Sequence, residues 1–417
     1  MKNNYKLIGP FKQLITMEGL EVKGAISDDK LPVIKNGSIL IKDDTIQKVG
    51  KHRELIKEAS SLNAKMIEIQ ESCIATPGFI DCHTHICFAG SRARDYAMRN
   101  EGKSYLEIAK AGGGIWDTVT KTREASLEQL FHNTMKRANQ LLKNGITTIE
   151  VKSGYGLSID EELKMLRAIQ LADRNIEADL IPTCLAAHMN PRDFDGPASQ
   201  YLELIITELF PIIKREGLAD RVDAFIEQSA FSADEIIPYY EAAKEMEFDI
   251  TVHADQFTTG GSGVAVEFGA VSADHLEVST DIEIQLLAES NTVAVALPGA
   301  SIGLGCSYTP ARKILDAGGA LAIASDWNPG SAPMGDLLTQ ASILGTFQKL
   351  SNTELLAGIT FRAAAALNLS DRGRLAPGQL ADMNFFAAND FNEIFYHQGK
   401  LTPAQVWKKG ELIYKEH

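Results

Sequence analysis

The chain has 417 residues, of which 45% are hydrophobic and 23% charged, the composition of an ordinary globular protein rather than a disordered or fibrous one. Its 41 Lys and Arg against 55 Asp and Glu give a net charge of −14, without a basic cluster, which argues against nucleic acid and anionic membranes as partners. Five cysteines without a C-x-x-C pair, no signal peptide and no apolar stretch of about 18 residues predict a cytoplasmic protein.

Both ends of the chain are rich in predicted strands. Residues 38–50 read as two short strands around the turn Asp43-Asp44. Strand-like segments return at 381–386 and at 406–414, the latter folded at Gly410. We therefore expect a small β-sandwich domain built from both termini, residues 1–72 and 371–417.

Between these ends, strands and helices alternate. Ser126 with Gln129 forms a capping box before a helix that Gly145 ends, and Ser158 with Glu161 opens another helix. Short apolar runs that end in polar residues predict eight strands: 78–85, 147–153, 180–188, 222–227, 250–255, 270–275, 292–298 and 320–326.

Eight strands interleaved with helices over about 250 residues predict an α/β fold, a (β/α)8 TIM barrel at residues 73–370. An open doubly wound sheet is the alternative, but neither common nucleotide-binding motif follows the first strand. In a barrel, the C-terminal ends of all strands converge at one mouth, where active sites are built. Polar residues at strand ends are therefore expected to be neighbours.

Histidines and an aspartate stand at the ends of three predicted strands. His83 and His85 form an H-x-H on the first strand, whose period of two puts both imidazoles on the same face. His253 ends the fifth strand and Asp326 the eighth. Three nitrogens and one oxygen suit one zinc or iron ion, with a position left for water. We expect these four residues to be metal ligands.

Such a metal lowers the pKa of bound water to roughly 7, which predicts hydrolysis. Asp326 is expected to take a proton from the water and pass it on, while His275, at the end of the sixth strand, orients or polarises the reacting groups. Glu227 and Lys152 leave a second metal open as the less favoured arrangement. Arg92, in the loop after the first strand, is placed to bind a substrate carboxylate.

Longer motifs carry a family resemblance. Residues 77–85 read PGFIDCHTH and resemble the first barrel strand of the amidohydrolase superfamily. The segments that narrow the resemblance to the imidazolonepropionases of histidine degradation are 88–92 (FAGSR), 111–115 (AGGGI), 151–157 (VKSGYGL), 253–256 (HADQ), 271–276 (VSADHL) and 326–331 (DWNPGS).

This resemblance implies hydrolysis of 4-imidazolone-5-propanoate, a small anionic cyclic amide, to N-formimino-L-glutamate. It also implies one Zn or Fe ion on the four ligands above, and a homodimer. The catalytic group it implies is Asp326, His275 and Gln256. The substrate contacts it implies are Arg92, Tyr105, Tyr155, His188, Gln256, Asn328, Gly330 and Ser331.

Two loops depart from the family pattern. After His188 the chain reads Met-Asn-Pro-Arg, where the family usually has Ala-Val/Ile-Pro-Pro, and the run after Leu297 lacks the family's aromatic residues. Because fold and metal do not fix a substrate, the alternative is a related amidohydrolase or a deaminase acting on another small cyclic amide or amidine with a carboxylate. A barrel that binds without catalysis is disfavoured, since no ligand position is missing.

Overall fold

The structure, a computed structural model, describes residues 4–69, 72–228 and 230–416, except for the side chains at positions 105, 106 and 109. Its strands, in chain order, are β1 (Tyr5–Ile15), β2 (Val33–Lys42), β3 (Thr45–Lys51), β4 (Lys65–Glu68), β5 (Ile74–Pro77), β6 (Phe79–Asp81), β7 (Ile146–Lys152), β8 (Asp179–Ala187), β9 (Arg221–Phe225), β10 (Asp249–Ala254), β11 (Ser272–His275), β12 (Val293–Ala296), β13 (Leu321–Ile323), β14 (Met383–Phe386), β15 (Gln405–Lys408) and β16 (Glu411–Lys415).

The helices are α1 (His52–Ser61), α2 (Ala93–Asn100), α3 (Tyr105–Lys110), α4 (Ile115–Glu124), α5 (Leu127–Lys143), α6 (Ile159–Asp173), α7 (Ala198–Leu204), α8 (Phe210–Glu216), α9 (Ala233–Glu245), α10 (Gly261–Phe268), α11 (Asp281–Glu289), α12 (Pro298–Leu304), α13 (Ala311–Asp316), α14 (Leu337–Gln348), α15 (Asn352–Gly358), α16 (Phe361–Ala366) and α17 (Glu393–Tyr396). A 3₁₀ turn (Asp28–Lys30) and a π-helical turn (Ile205–Leu209) complete the elements. Among the described helices, none combines the length and the apolar character of a membrane span.

The barrel consists of β6 to β13, which pair in chain order and in parallel. Hydrogen bonds beyond β6 and β13 join its first and last strands. The backbone N–H of Asp326 donates to the His83 carbonyl and that of His85 to the Trp327 carbonyl, both at 3.0 Å. All eight predicted strands are present in the predicted order, which confirms the (β/α)8 class over the open sheet.

Several barrel strands are shorter than predicted, β6 and β13 most of all. The strand ladder of β6 ends at Asp81, although the apolar run predicted a strand to His85, and that of β13 ends at Ile323 rather than at Asp326. Asp326 has a φ of +50°, outside the extended range of regular strands, so the chain turns there. His83, His85 and Asp326 therefore lie just beyond the ends of their strands, whereas His253 is the penultimate residue of β10.

Strands from both termini form a separate sheet, as predicted. Its order is β16-β15-β14-β5-β1-β2-β3, with β4 beside β1. The hairpins predicted at Asp43-Asp44 and at Gly410 are β2–β3 and β15–β16. β1, β4 and β5 were not predicted; the Gly9-Pro10 pair interrupts the alternation of β1 and shifts its register against β2. β5 belongs to this sheet, and the domain boundary at residue 73 stays a prediction.

Helix starts were predicted with unequal success. At α5 the capping box is confirmed: Ser126 Oγ accepts the Gln129 N–H at 3.2 Å, and Gln129 Oε1 accepts the Ser126 N–H at 2.9 Å. α6 begins after Ser158 as predicted, but the Ser158 side chain makes no capping hydrogen bond. Glu162, the neighbour of the predicted partner Glu161, instead binds the preceding loop.

An ion-pair cluster joins the two sheets. Asp179, at the start of β8, lies 2.7 Å from Lys408 Nζ, 2.5 Å from Arg372 Nη1 and 3.3 Å from Lys409 Nζ. Lys408 also lies 2.6 Å from Asp382, and its side chain is buried. The barrel and the terminal sheet are thus connected by charged groups as well as by apolar packing.

Candidate metal centre and active site

Three imidazoles and a carboxylate meet at the mouth of the barrel. The Nε2 atoms of His83 and His85 are 3.2 Å apart, and that of His253 lies 3.3 Å from His85 Nε2. Asp326 Oδ1 lies 3.5 Å from His83 Nε2 and 3.4 Å from His85 Nε2. All four side chains are buried. The structure therefore brings the four predicted ligands around one point, from the ends of three strands.

The protonation pattern of the histidines fits a metal ion. His83 Nδ1 lies 2.6 Å from Asp274 Oδ2, and His253 Nδ1 lies 2.8 Å from Asp223 Oδ2. Each carboxylate favours the tautomer with the proton on Nδ1, which leaves the Nε2 lone pair directed at the centre. Burial lowers the pKa of His83 well below its ordinary value and that of His253 to about 3, so both rings are neutral at pH 7.

The oxygen donor is also in place. Asp326 Oδ1 is buried and has no hydrogen-bond partner among the described residues. A buried carboxylate oxygen without a donor is costly, and a cation at this point removes that cost. Three imidazole nitrogens and one carboxylate suit zinc or iron equally, so the donor set fits both.

Lys152 and Glu227, considered from the sequence as supports for a second metal, have other partners. Lys152 Nζ lies 2.7 Å from Glu150 Oε1 and 2.9 Å from Asp223 Oδ2. Burial lowers the pKa of Lys152, but the surrounding carboxylates outweigh this effect and hold that pKa above its ordinary value. Glu227 Oε2 accepts the N–H groups of Phe257 (2.9 Å) and Thr258 (3.1 Å), so it fastens the loop after β10. The geometry favours one metal.

His275 lies beside the four predicted ligands and is not one of them. Its ring centroid is 5.2 Å from that of His253 and 5.8 Å from that of His83. His275 and Leu276 have φ values of +86° and +69°, a strained turn that carries His275 into the mouth. Glu277 Oε1 lies 3.3 Å from His275 Nδ1. Burial lowers the pKa of His275, but Glu277 outweighs it and raises that pKa above its usual value.

The loop after β13 is shaped by Asn328. Its amide donates to Asp326 Oδ2 at 2.9 Å, and its Oδ1 accepts the N–H groups of Gly330 and Ser331, both at 2.8 Å. Asn328, predicted as a substrate contact, therefore orients Asp326 and folds the loop. Gly330 leaves room for Arg92, because a side chain at position 330 would collide with Nη1 of that residue.

Arg92 is aimed across the mouth. Its Nε donates to Asp95 Oδ2 at 2.8 Å, and the same oxygen accepts the Gly114 N–H at 2.8 Å. The Nη groups make no hydrogen bond to another described residue. Asp95 thus holds the guanidinium by one edge and leaves its fork open, which is the geometry that binds a carboxylate.

Tyr155 and His188 flank His85, one of the predicted metal ligands. Their ring centroids lie 6.0 and 5.8 Å from that of His85, and 5.6 Å from each other. His188 Nδ1 lies 2.8 Å from the Gly154 carbonyl, so it carries the proton. Burial lowers the pKa of His188 to about 4. Both predicted contacts are therefore neutral groups beside the centre.

For two predicted residues, Gln256 and Tyr105, the described part of the structure gives no hydrogen bond with the other residues of the site. Gln256 is buried, with 8% of its surface exposed, three positions after His253. The side chain of Tyr105 lies outside the described residues, so its predicted substrate contact stays a prediction.

Sequence reasoning missed the groups that hold the site. The carboxylate of Glu162 accepts N–H groups from Gly154 at 3.0 Å, Gly156 at 2.7 Å and Leu157 at 2.8 Å, and so fixes the loop that carries Tyr155. The glycine-rich loop after β7 was a signal for such an acceptor, because its N–H groups need partners. The roles of Asp223, Asp274 and Glu277 were missed as well, whereas the pairing of Lys152 with Glu150 was an alternative that the sequence offered.

Comparison with known proteins agrees with this geometry. The family model described as "Amidohydrolase family" matches residues 74–413. The chain is 39% identical to the imidazolonepropionase of Streptococcus gordonii over 385 residues, 91% of each chain. It is 40% identical to that of Symbiobacterium thermophilum over 413 residues, 97% of this chain and 96% of the relative. The chain belongs to the imidazolonepropionase family.

Solved structures share the fold of this family member at low sequence identity. Atrazine chlorohydrolase TrzN from Arthrobacter aurescens, complexed with zinc, is 17% identical, with a TM-score of 0.70 over 98% of this chain and 95% of that one. An adenosine deaminase from Xanthomonas campestris with bound zinc is 16% identical, with a TM-score of 0.72 over 98% of this chain and 92% of that one. These likenesses establish the fold alone.

Proposed function

We propose that this hydrolase opens the imidazolone ring of 4-imidazolone-5-propanoate to give N-formimino-L-glutamate, a reaction of histidine degradation. The observation that carries the proposal is the unpartnered Oδ1 of Asp326 among three neutral imidazole nitrogens, in a chain 38–40% identical to imidazolonepropionases over 91–97% of its length. The open fork of Arg92 at the same mouth supplies the complement to the propanoate.

The proposed ligands are Nε2 of His83, His85 and His253 and Oδ1 of Asp326. One zinc or iron ion bound there is a Lewis acid and lowers the pKa of water to roughly 7. Asp326 accepts a proton as the water oxygen adds to the ring carbonyl carbon, and it returns that proton to the ring nitrogen as the C–N bond breaks. The carbonyl becomes the new carboxylate and the nitrogen stays in the formimino group.

His275 is proposed to orient the attacking water or to stabilise charge on the carbonyl oxygen through Nε2, while Glu277 holds its Nδ1. Arg92 binds the propanoate carboxylate, which the net charge of −14 would otherwise repel. Further proposed substrate contacts are Tyr105, Tyr155, His188, Gln256, Asn328, Gly330 and Ser331.

The direct test is an assay of imidazolone ring opening with purified protein, metal-free and loaded with zinc or iron. We expect turnover only in the loaded protein, and its loss by more than 1,000-fold, on the order expected for a catalytic group, in Asp326→Asn. Turnover of another cyclic amide or amidine, with none of the imidazolone, would assign the chain to the alternative activity. We further propose a homodimer in the cytoplasm, as expected from the sequence; sedimentation and cell fractionation test these two expectations.

A further inference from the structure

One ammonium group adjoins three separate supports of the metal centre. Lys152 Nζ lies 2.9 Å from Asp223 Oδ2, the oxygen that faces His253 Nδ1. It lies 3.8 Å from Asp274 Oδ2, the oxygen that faces His83 Nδ1. The same two carboxylate oxygens are thus shared between Lys152 and the imidazoles.

The third support is the backbone between the two histidines of the H-x-H motif. Lys152 Nζ lies 2.7 Å from Glu150 Oε1, and the other carboxylate oxygen of Glu150 accepts the Thr84 N–H at 3.1 Å. The Lys152 N–H also donates to the Thr84 carbonyl at 2.9 Å. Lys152 is therefore linked to the segment 83–85 through its side chain and through its backbone.

Lys152 and the three carboxylates around it are buried away from water. Lys152, Glu150, Asp223 and Asp274 have side chains that are at most 1% exposed. Carboxylates at this depth need a counter-charge, because water cannot screen their mutual repulsion. Lys152 is the cation that the structure places among these three acids.

We propose that Lys152 is a positioning residue for the metal centre: its ammonium holds Asp223, Asp274 and Glu150, which in turn hold His253, His83 and the backbone of Thr84, and it thereby sets metal affinity. The proposal rests on the ligand set proposed above. It assigns Lys152 no contact with substrate or with the reacting atoms. Removing its charge leaves neighbouring carboxylates that repel one another, and the imidazoles lose their fixed orientation.

The test measures zinc affinity of the metal-free protein by competition with a chromophoric chelator. Loss of groups that orient metal ligands typically weakens binding by about 10- to 100-fold, and we expect a loss of this size in Lys152→Met. Lys408→Met is the matched control: Lys408 is equally buried between two aspartates, Asp179 and Asp382, but contacts none of the groups around the metal centre. We expect Lys408→Met to lower thermal stability and to leave the zinc Kd unchanged.

Lys152→Gln, which keeps a hydrogen-bond donor without the charge, serves if the Met variant does not fold. A folded Lys152 variant with the wild-type zinc Kd would overturn the proposal, and so would failure of both variants to fold with zinc in the medium, which would assign Lys152 to folding alone. His83→Asn tests the ligand set separately. If that variant binds zinc as the wild type does, the ligand assignment is wrong, whatever Lys152 does.

Discussion

The guanidinium of Arg92 is held in place along one edge, and its other edge is free to bind a ligand. Arg92 Nε is committed to Asp95, whereas its Nη groups face the mouth without a partner among the described residues. The carboxylate that binds there gains charge-assisted hydrogen bonds from a group already in position, so little conformational entropy is lost on binding.

We therefore expect Arg92→Ala to lower kcat/KM for the imidazolone substrate by about 10- to 100-fold, mostly through KM, since hydrogen bonds to charged groups contribute about 1.5–3 kcal/mol. Arg94→Ala is the control, because Arg94 is exposed two positions away and, within the described part of the chain, donates only to the Ala111 carbonyl. Steady-state kinetics of both variants decide the point. Equal kinetics for wild type and Arg92→Ala would remove this residue from substrate binding.

At the scale of single residues, the sequence was informative where a polar residue interrupts an apolar run. His83, His253 and Asp326 were predicted as neighbours because each polar residue ends an apolar run, and strand ends converge in a barrel. Asp223 and Asp274 sit on β9 and β11, where nothing in one sequence distinguishes a support of a ligand from an ordinary buried acid. Their role depends on which imidazole lies beside each carboxylate in the folded barrel, which only the three-dimensional structure shows.

Among the elements, the connection from β7 to α6 shows how a loop is made rigid without regular structure. The backbone N–H groups of Gly154, Gly156 and Leu157, on either side of Tyr155, donate to one carboxylate. That carboxylate is Glu162, in the first turn of α6. The acid is buried, and burial raises its pKa although the N–H groups oppose this. The position of Tyr155 in the mouth thus depends on a residue of the following helix.

We expect Glu162→Gln to destabilise the protein by about 1–3 kcal/mol and to lower kcat/KM, because an amide has one oxygen acceptor where the carboxylate has two. Glu161→Gln is the neighbouring control, since Glu161 is partly exposed and pairs with Lys164. Denaturant unfolding and steady-state kinetics measure the two effects. If Glu162→Gln changes neither, this carboxylate does not fix the loop.

The helices and strands were predicted best where they coincide with a clear apolar pattern in the sequence. All eight barrel strands were found because each is an apolar run, but β6 and β13 were drawn too long, since composition does not show where pairing stops. β1 was missed because Gly9-Pro10 breaks its alternation, and β4 because Lys65–Glu68 is largely exposed and carries little apolar signal.

At the scale of the whole molecule, the ion pairs of Asp179 join the barrel to the terminal sheet, and they make the free energy of unfolding depend on pH. Burial raises the pKa of Asp179, but Lys408, Arg372 and Lys409 outweigh it and lower that pKa to about 2, against about 3.9 for an unfolded chain. A carboxylate whose pKa is depressed in the folded state contributes its full stability above the unfolded value. That contribution, about 2–3 kcal/mol, is lost as the pH falls from about 4 to about 2.

We therefore expect Asp179→Asn to be less stable than wild type by about 2–3 kcal/mol at pH 7, with the difference shrinking toward pH 2. Urea unfolding as a function of pH measures it. Glu411→Gln, which removes an exposed acid paired with Lys6 in the terminal sheet, is expected to have a smaller effect. A constant difference between Asp179→Asn and wild type across this range would contradict the assignment.

The hydrogen bond from Asp326 N–H to the His83 carbonyl lies at the seam where the barrel meets itself, and both residues are proposed ligands, 243 positions apart in the chain. The proposed ligands come together only when the first and last barrel strands are paired, so an incomplete or opened barrel lacks the full set. We therefore expect metal binding to require that the first and last barrel strands be paired, and local opening of this seam to weaken it.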